Sequence, residues 1–242
     1  MMKYKDINET LIRNFIEMAD IEIFQPSFPL ISLEGMHGAG KTTQIEAVQD
    51  FLYKTKRING YYFELPTFNT GYGHILKCLY KNTSDWLEFA DNLPWFNPLF
   101  ILLDMLSNIN ALEKQYKQMQ SFDYVIMSRG VVSTYLYNTP INYEFEDGIE
   151  YLKPILKYFP KYDVIFYLCL PAKIARDRVL ARGRQLRMGD ELQALEITAQ
   201  RIEKIKKIFP ELPIKSVDAT LNKQAITDIL ANEIHLILKK EK

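Results

Sequence analysis

One short stretch carries the clearest chemical signal in this sequence. Residues 35–43 read Gly-Met-His-Gly-Ala-Gly-Lys-Thr-Thr, which fits the pattern G-x-x-x-x-G-K-T of a P-loop. Its glycines allow a tight turn whose backbone N–H groups point at phosphate oxygens. Lys41 supplies a positive charge for the β- and γ-phosphates, and the Thr42 hydroxyl can join the ligands of Mg²⁺. The predicted phosphate-binding residues are Gly35, His37, Gly38, Ala39, Gly40, Lys41, Thr42 and Thr43.

The flanking residues predict a strand before this loop and a helix after it. Residues 29–34 form a short apolar run, which is typical of a buried parallel strand. In residues 44–52 the apolar side chains of Ile45, Val48 and Phe51 fall on one helical face. A P-loop requires this order of strand, loop and helix, so the context supports the motif.

Composition narrows the class of protein. The 242 residues are 48% hydrophobic and 25% charged, as in an ordinary globular protein. Lys+Arg and Asp+Glu both number 30, so the charge indicates neither a nucleic-acid nor a membrane partner. The sequence shows neither a secretory signal nor an apolar run long enough for a bilayer, which predicts a cytoplasmic protein. Cys78 and Cys169 lie in apolar stretches and are predicted to be buried thiols.

Alternating strand and helix patterns predict the architecture. The expected strands are residues 29–34, 61–65, 122–127, 164–170 and 214–217. We therefore expect an α/β fold, a P-loop NTPase-type parallel five-stranded sheet with helices on both faces. Residues 1–28 are predicted to be an N-terminal helical extension, and residues 29–242 the P-loop domain. Glu64 falls near the carboxyl end of the second strand, where open α/β sheets place ligands.

Several motifs in the same order resemble those of the thymidylate kinase family of nucleoside monophosphate kinases over residues 29–240. The matching segments are residues 31–44, Ser128-Arg129-Gly130 with Ser133, Thr134 and Tyr137, residues 167–184, and Val217-Asp218-Ala219-Thr220. The resemblance implies an ATP donor on the P-loop, Mg²⁺, and a small-molecule nucleotide or nucleoside acceptor in the adjoining cleft. It also implies a mobile lid at residues 182–190 and allows a homodimer, for which the apolar face of residues 98–112 is a candidate surface.

Roles for individual residues follow from this resemblance. It implies catalytic roles for Lys41, Glu64, Arg129, Arg182 and Arg184. ATP contacts are implied for Arg182, Asp218 and Ala219 in addition to the P-loop. Acceptor contacts are implied for Glu64, Lys77, Phe100, Arg129, Ser133, Thr134 and Tyr137. Lid arginines suit phosphoryl transfer, because planar guanidinium groups hold phosphate oxygens in a bidentate way.

The acceptor side departs from the family pattern. His37 and Ser128 stand where the family carries acids that help to manage Mg²⁺. Phe63 and Lys77 stand where the family carries arginines, which leaves Arg129 as the main guanidinium for an acceptor phosphate. Loss of charge-assisted hydrogen bonds should weaken monophosphate binding, at about 1.5–3 kcal/mol each. We therefore predict a monophosphate kinase with altered acceptor choice.

Two other functions remain open at this point. A deoxynucleoside kinase acts on a free 5′-hydroxyl and needs no monophosphate-binding arginines, and Glu64 would then be the base. A nucleotide-binding protein with little transfer activity would explain Ser128 and His37, although the intact Lys41–Thr42 pair argues against it.

Overall fold

The computed structural model describes residues 9–81, 95–138, 144–183 and 188–240. A single sheet of five strands lies at its centre, and every neighbouring pair of strands is parallel. The strands are β1 (Leu30–Gly35), β2 (Gly60–Glu64), β3 (Tyr124–Ser128), β4 (Val164–Cys169) and β5 (Ile214–Asp218), arranged in the order β2-β3-β1-β4-β5. The predicted five-stranded parallel sheet is confirmed.

Helices connect the strands in alternation. They are α1 (Glu9–Met18), α2 (Lys41–Lys56), α3 (Gly71–Lys81), α4 (Phe96–Met119), α5 (Val131–Asn138), α6 (Phe145–Leu156), α7 (Ala172–Leu180), α8 (Leu192–Ile208) and α9 (Lys223–Lys240), with a 3₁₀ turn at Met188–Asp190. In this part of the chain no helix is long and apolar enough to cross a membrane.

The helices cover both faces of the sheet, as predicted. Side chains alternate between the faces along each strand. On β1, Ile31 and Leu33 pack in the cluster that contains Ile45 of α2, whereas Leu30 packs in the cluster that contains Leu102 of α4. Burial on both faces explains why the central strands are apolar throughout.

The register of the sheet brings three strand ends together. In β3, Ser128 is the register partner of both Leu33 in β1 and Glu64 in β2. In parallel sheets the carboxyl ends of the strands meet at one edge. Glu34, Glu64 and the residues after Ser128 are therefore neighbours, although the sequence separates them by up to 96 positions.

Helices α1 and α4 pack together in one core cluster. Ile12 and Ile16 of α1 are buried in the same cluster as Leu102 and Leu106 of α4. The apolar face of residues 98–112, considered above as a dimer surface, lies inside the chain's own core. That face is therefore not available as a dimer surface. The homodimer stays a prediction, with no surface assigned to it.

Three local predictions were wrong. The sequence predicts that both cysteines are buried, but Cys169 is half-buried and Cys78 is exposed. Cys78 is exposed because it lies on the outer side of α3. The sequence predicts one basic helix that contains Arg176, Arg178, Arg182, Arg184 and Arg187, but α7 ends at Leu180 and Arg182 follows in an exposed turn. The sequence also predicts that Asp190-Glu191 caps the next helix; Glu191 takes the cap position without a side-chain cap hydrogen bond, and the carboxylate of Asp190 is buried against His37 instead. Asn8, which the sequence predicts to cap the first helix, lies outside the described residues, as do Arg184 and Arg187, two basic residues of the predicted lid.

Candidate active site

The P-loop is held in a conformation that requires glycine. Gly38 and Gly40 have φ angles of 81° and 93°, in the left-handed region that L-residues seldom adopt. A Cβ on Gly38 would lie 2.2 Å from the carbonyl oxygen of Ala175 in α7. The loop is therefore packed tightly against α7, the helix that precedes the lid segment.

The helix after the loop begins where a phosphate would bind. Gly40 precedes α2 and has no side chain to cap it, which leaves the first N–H groups of the helix for a ligand. Thr42 and Thr43 are exposed in this first turn. The Tyr62 side chain of β2 lies close to Thr42, a neighbour that sequence reasoning missed because it lies on another strand.

Lys41 is folded back over the loop. Its Nζ donates hydrogen bonds to the carbonyl oxygens of Gly35, at 2.7 Å, and Met36, at 3.2 Å. Burial of the ammonium group and the nearby charge of Arg129 lower the pKa of Lys41 to about 7, although Glu34 and Glu64 oppose this. The lysine is thus poised to regain its full charge when an anion arrives.

Glu34 is a buried carboxylate that organises the centre of the site. It accepts hydrogen bonds from the backbone N–H of Gly130, with a distance of 2.7 Å, and from the hydroxyls of Ser32 and Ser133. Sequence reasoning placed Glu34 in the P-loop strand without giving it a role. The signal was present, because a carboxylate inside a buried apolar strand requires partners.

Arg129 occupies the junction between the P-loop and the second strand. Its φ of 70° places a non-glycine residue in the left-handed region. Its Nε donates to Oε1 of Glu64 at 3.0 Å. Its charge also contributes to the lowered pKa values of His37 and Lys41. The predicted pair Glu64 and Arg129 is therefore brought together, facing the P-loop.

His37 contacts the end of the lid segment. Its Nδ1 lies 2.7 Å from Oδ1 of Asp190, which is fully buried. The imidazole also packs against the ring of Tyr137, with ring centroids 5.6 Å apart. Burial and the charge of Arg129 lower the pKa of His37 to about 4, and the hydrogen bond to Asp190 opposes this. No sequence signal indicated Asp190, since its spacing equally suits a helix cap.

The remaining acceptor-side residues have partners within the protein. Lys77 Nζ lies 3.6 Å from the centre of the Phe68 ring, in a cation–π contact. Phe100 is half-buried and stacks on Phe96, with centroids 3.9 Å apart. The hydroxyl of Thr134 is buried and donates to the carbonyl of Gly130.

A buried aspartate shapes the segment that follows Glu64. Asp104 of α4 accepts hydrogen bonds from the backbone N–H of Thr67 at 2.6 Å and from the hydroxyls of Thr67 and Thr70. Gly73, at the start of α3, has room for no side chain, because a Cβ would lie 2.7 Å from this carboxylate. The cluster fixes the path of the chain beside the cleft.

On the other side of the P-loop, α7 is tied to the segment after β5. Nη2 of Arg178 donates to the carbonyl oxygen of Ala219 at 3.0 Å. Asp218 is exposed, and its Oδ1 accepts from the backbone N–H and hydroxyl of Thr220. The charge of Arg182 contributes to the lowered pKa of Lys41, so this arginine lies on the P-loop side.

Protein ligands for a metal are sparse. Across the described ranges, no three His, Cys, Asp or Glu side chains are grouped so as to hold a metal ion. Ser128, which replaces the family's acid, is buried, and its hydroxyl has no hydrogen-bond partner in that part of the chain. The Thr42 hydroxyl remains, which suits Mg²⁺ bound mainly by phosphate oxygens and water.

A P-loop that opens onto a helix N-terminus, with an arginine–glutamate pair beside it at the neighbouring strand ends, is the arrangement of a P-loop nucleotide kinase. Comparison with known proteins narrows the class, since the sequence profile described as thymidylate kinase matches residues 33–229. The chain belongs to the thymidylate kinase family. Among curated proteins, it is similar to "Probable thymidylate kinase 1" of Saccharolobus solfataricus, with 23% identity over 214 residues that cover 87% of this chain and 97% of that protein. The activity of this chain is nucleotide phosphoryl transfer.

Proposed function

We propose that this protein transfers the γ-phosphoryl group of ATP, with Mg²⁺, to a nucleoside monophosphate. The observation that carries the proposal is the placement of Arg129, which pairs with Glu64 and lies close enough to lower the pKa of Lys41. A guanidinium in this position can hold an acceptor phosphate next to the phosphate cradle of the P-loop. Transfer between two phosphates needs such positioning and charge neutralisation more than covalent chemistry.

The donor is assigned to the P-loop side of the cleft. The N–H groups of residues 35–43 and Lys41 bind the β- and γ-phosphates, and Thr42 contributes its hydroxyl to Mg²⁺. Mg²⁺ commonly keeps several waters and binds through phosphate oxygens, so the small number of carboxylates does not exclude it. Arg182 and Arg184 supply positive charge from the lid. The loop at Asp218 and Ala219, held by Arg178, borders the space for the base.

The acceptor is assigned to the space beside β2, β3 and α5. Arg129 binds its phosphate, and Glu64 orients Arg129. Tyr137, which packs on His37, borders the nucleoside. For Ser133 and Thr134 we propose a structural part, because their hydroxyls donate to Glu34 and to Gly130 inside the fold. Lys77 and Phe100 line the outer side of the proposed acceptor space, and the ammonium group of Lys77 lies over the ring of Phe68.

The altered acceptor choice predicted from sequence is part of the proposal. The family's P-loop acid is His37 here, and this imidazole is uncharged above a pKa of about 4. We also propose that residues 29–242 form the kinase domain after an N-terminal extension, and that the protein is a cytoplasmic homodimer.

A phosphoryl-transfer screen tests the proposal. ATP and Mg²⁺ are offered with nucleosides and with their 5′-monophosphates, in deoxy and ribo forms, and Lys41→Ala serves as the blank. We expect transfer to at least one monophosphate that is lost in the variant. Transfer to free nucleosides alone would overturn the proposal and make Glu64 the base of a nucleoside kinase. ATP binding without any transfer would overturn it in favour of a binding protein.

A further inference from the structure

The contact between His37 and Asp190 joins two segments that lie 153 positions apart in the sequence. One is the P-loop, and the other is the 3₁₀ turn Met188–Asp190 at the carboxyl end of the lid segment. Asp190 is fully buried, and the side chain of His37 is 16% exposed. The backbone takes part in the fit, because a Cβ on Gly189 would lie 3.6 Å from Cε1 of the imidazole.

The chemistry of the pair fixes where the proton lies. Burial lowers the pKa of His37, and the negative charge of Asp190 raises it. An ionised carboxylate only accepts hydrogen bonds, so the Nδ1 atom that faces Asp190 carries the proton. Among the described residues, the charged groups that act on the ring are the cations Arg129 and Lys41 and the carboxylate of Asp190, and the ring of Tyr137 packs against it. Both cations oppose a charge on the imidazole, and the pKa of His37 is lowered to about 4. At neutral pH the Nε2 atom therefore has no proton and can only accept.

We propose that Asp190 is a positioning residue of the transfer site. Its carboxylate holds His37 in the Nδ1–H tautomer and fastens the carboxyl end of the lid segment to the P-loop. The P-loop thereby presents an uncharged hydrogen-bond acceptor at residue 37. The inference deepens the proposed function and rests on it for its kinetic consequence, but the tautomer itself is independent of any activity.

The tautomer can be measured in the ligand-free protein by ¹⁵N NMR of histidine side chains. The sequence has three histidines, His37, His74 and His235, so a His37→Gln spectrum assigns the signals of residue 37. We expect a protonated Nδ1 and an unprotonated Nε2 for His37, unchanged between about pH 5.5 and 8. A protonated Nε2, or an averaged signal that titrates in this range, would overturn the proposal.

Asp190→Asn supplies the matched change, because the Asn amide is nearly isosteric, has no charge and can present either its oxygen or its NH₂ group to Nδ1. We expect this variant to lose the exclusive Nδ1–H tautomer, so that both ring nitrogens of His37 give averaged signals. Asp50→Asn, on the exposed face of α2 where Asp50 pairs with Lys54, makes the same chemical change away from the site and should leave the spectrum unchanged. Retention of the Nδ1–H tautomer in Asp190→Asn would contradict the proposal.

A double-mutant cycle tests whether Asp190 affects the transfer reaction through His37. It thereby separates this role from a purely structural one. Asp190→Asn should lower kcat/KM for the transfer reaction about tenfold, the effect of one charge-assisted hydrogen bond. In a His37→Ala background the same substitution should change it less than about twofold, because Asp190 acts through the imidazole. Equal effects in both backgrounds would show that Asp190 has only a structural part. If the protein transfers no phosphoryl group at all, the proposed function fails, and the NMR result still decides the tautomer.

Discussion

The carboxylate of Glu34 accepts a hydrogen bond from the backbone N–H of Gly130, with N and Oε1 2.7 Å apart. The bond crosses from β1 to the residue that follows Arg129, whose backbone is in the left-handed region. A strained residue persists only where its surroundings determine it. We infer that Glu34 keeps Arg129 directed at the P-loop.

Replacement of Glu34 tests this relationship. Glu34→Gln should destabilise the protein by about 2 kcal/mol, because the amide nitrogen cannot accept the hydrogen bonds that one carboxylate oxygen receives. It should also lower kcat, since Arg129 loses its support. Urea unfolding and steady-state kinetics measure the two effects. Ser133→Ala removes one partner and leaves the bond to Gly130, so it should be the milder change, and a reversed order would contradict the inference.

The pair of Arg129 and Glu64 should matter for transfer and little for stability. Both side chains are about one-third to one-half exposed, and exposed ion pairs contribute about 1 kcal/mol or less. Arg129→Met should therefore shift the unfolding midpoint slightly, whereas kcat/KM for a monophosphate should fall by about two orders of magnitude. An equal fall for a free nucleoside acceptor would show that Arg129 does not read the acceptor phosphate.

Nucleotide binding should take up protons near neutral pH. The pKa of Lys41 is lowered to about 7, so part of the population is uncharged when the site has no anion. A bound phosphate favours the ammonium form and raises this pKa. Titration calorimetry in two buffers of different ionisation enthalpy should show uptake of about half a proton at pH 7. The uptake should disappear in Lys41→Met, and identical heats in both buffers for the wild type would refute the prediction.

Protein stability should depend on His37 in mildly acidic solution. Its folded pKa of about 4 lies below the ordinary value of 6.5, so the unfolded chain binds more protons between these values. Stability therefore rises with pH across this window, and the contribution of His37 amounts to about 3 kcal/mol at most. His37→Gln should flatten the curve of unfolding free energy between about pH 4 and 6.5. An unchanged slope would show that His37 is not buried in its neutral form.

Asp104 should couple stability to acceptor binding. Its carboxylate accepts hydrogen bonds from the backbone N–H of Thr67 and from the hydroxyls of Thr67 and Thr70. Asp104→Ala therefore removes the acceptor of these three donors. We expect a loss of about 3 kcal/mol and a higher KM for the acceptor. Glu113→Gln changes a buried acid on the same helix that binds Ser27 instead. It should affect unfolding without affecting KM, and a similar rise in KM would contradict a local role for Asp104.

Much of the fold was predictable because its signals are local. The apolar run before Gly35, the glycine spacing and the helical face after Lys41 each reflect interactions between near neighbours in sequence. The pairing of Glu64 with Arg129 also followed, since strand ends in a parallel sheet share one edge. These elements required no knowledge of packing.

The rest depended on contacts between distant segments. Asp190 looks like a helix cap in sequence, and its burial against His37 appears only when the lid end meets the P-loop. Glu34 was visible as a residue, but its partners come from the loop after β3. Cys78 lies in an apolar pattern, yet the packing of α3 leaves it outside. Helical periodicity shows that a face exists and does not show which side chains at its margin are covered.

The outward position of Cys78 makes the natural protein suitable for site-specific labelling. The sequence has two cysteines, and Cys169 is half-buried at the end of β4, so a maleimide dye should react first at Cys78. Cys78 adjoins Lys77 on α3, the helix that begins beside the segment fixed by Asp104. Fluorescence from a dye at this thiol can therefore report in real time how the acceptor side of the cleft responds as each nucleotide is added.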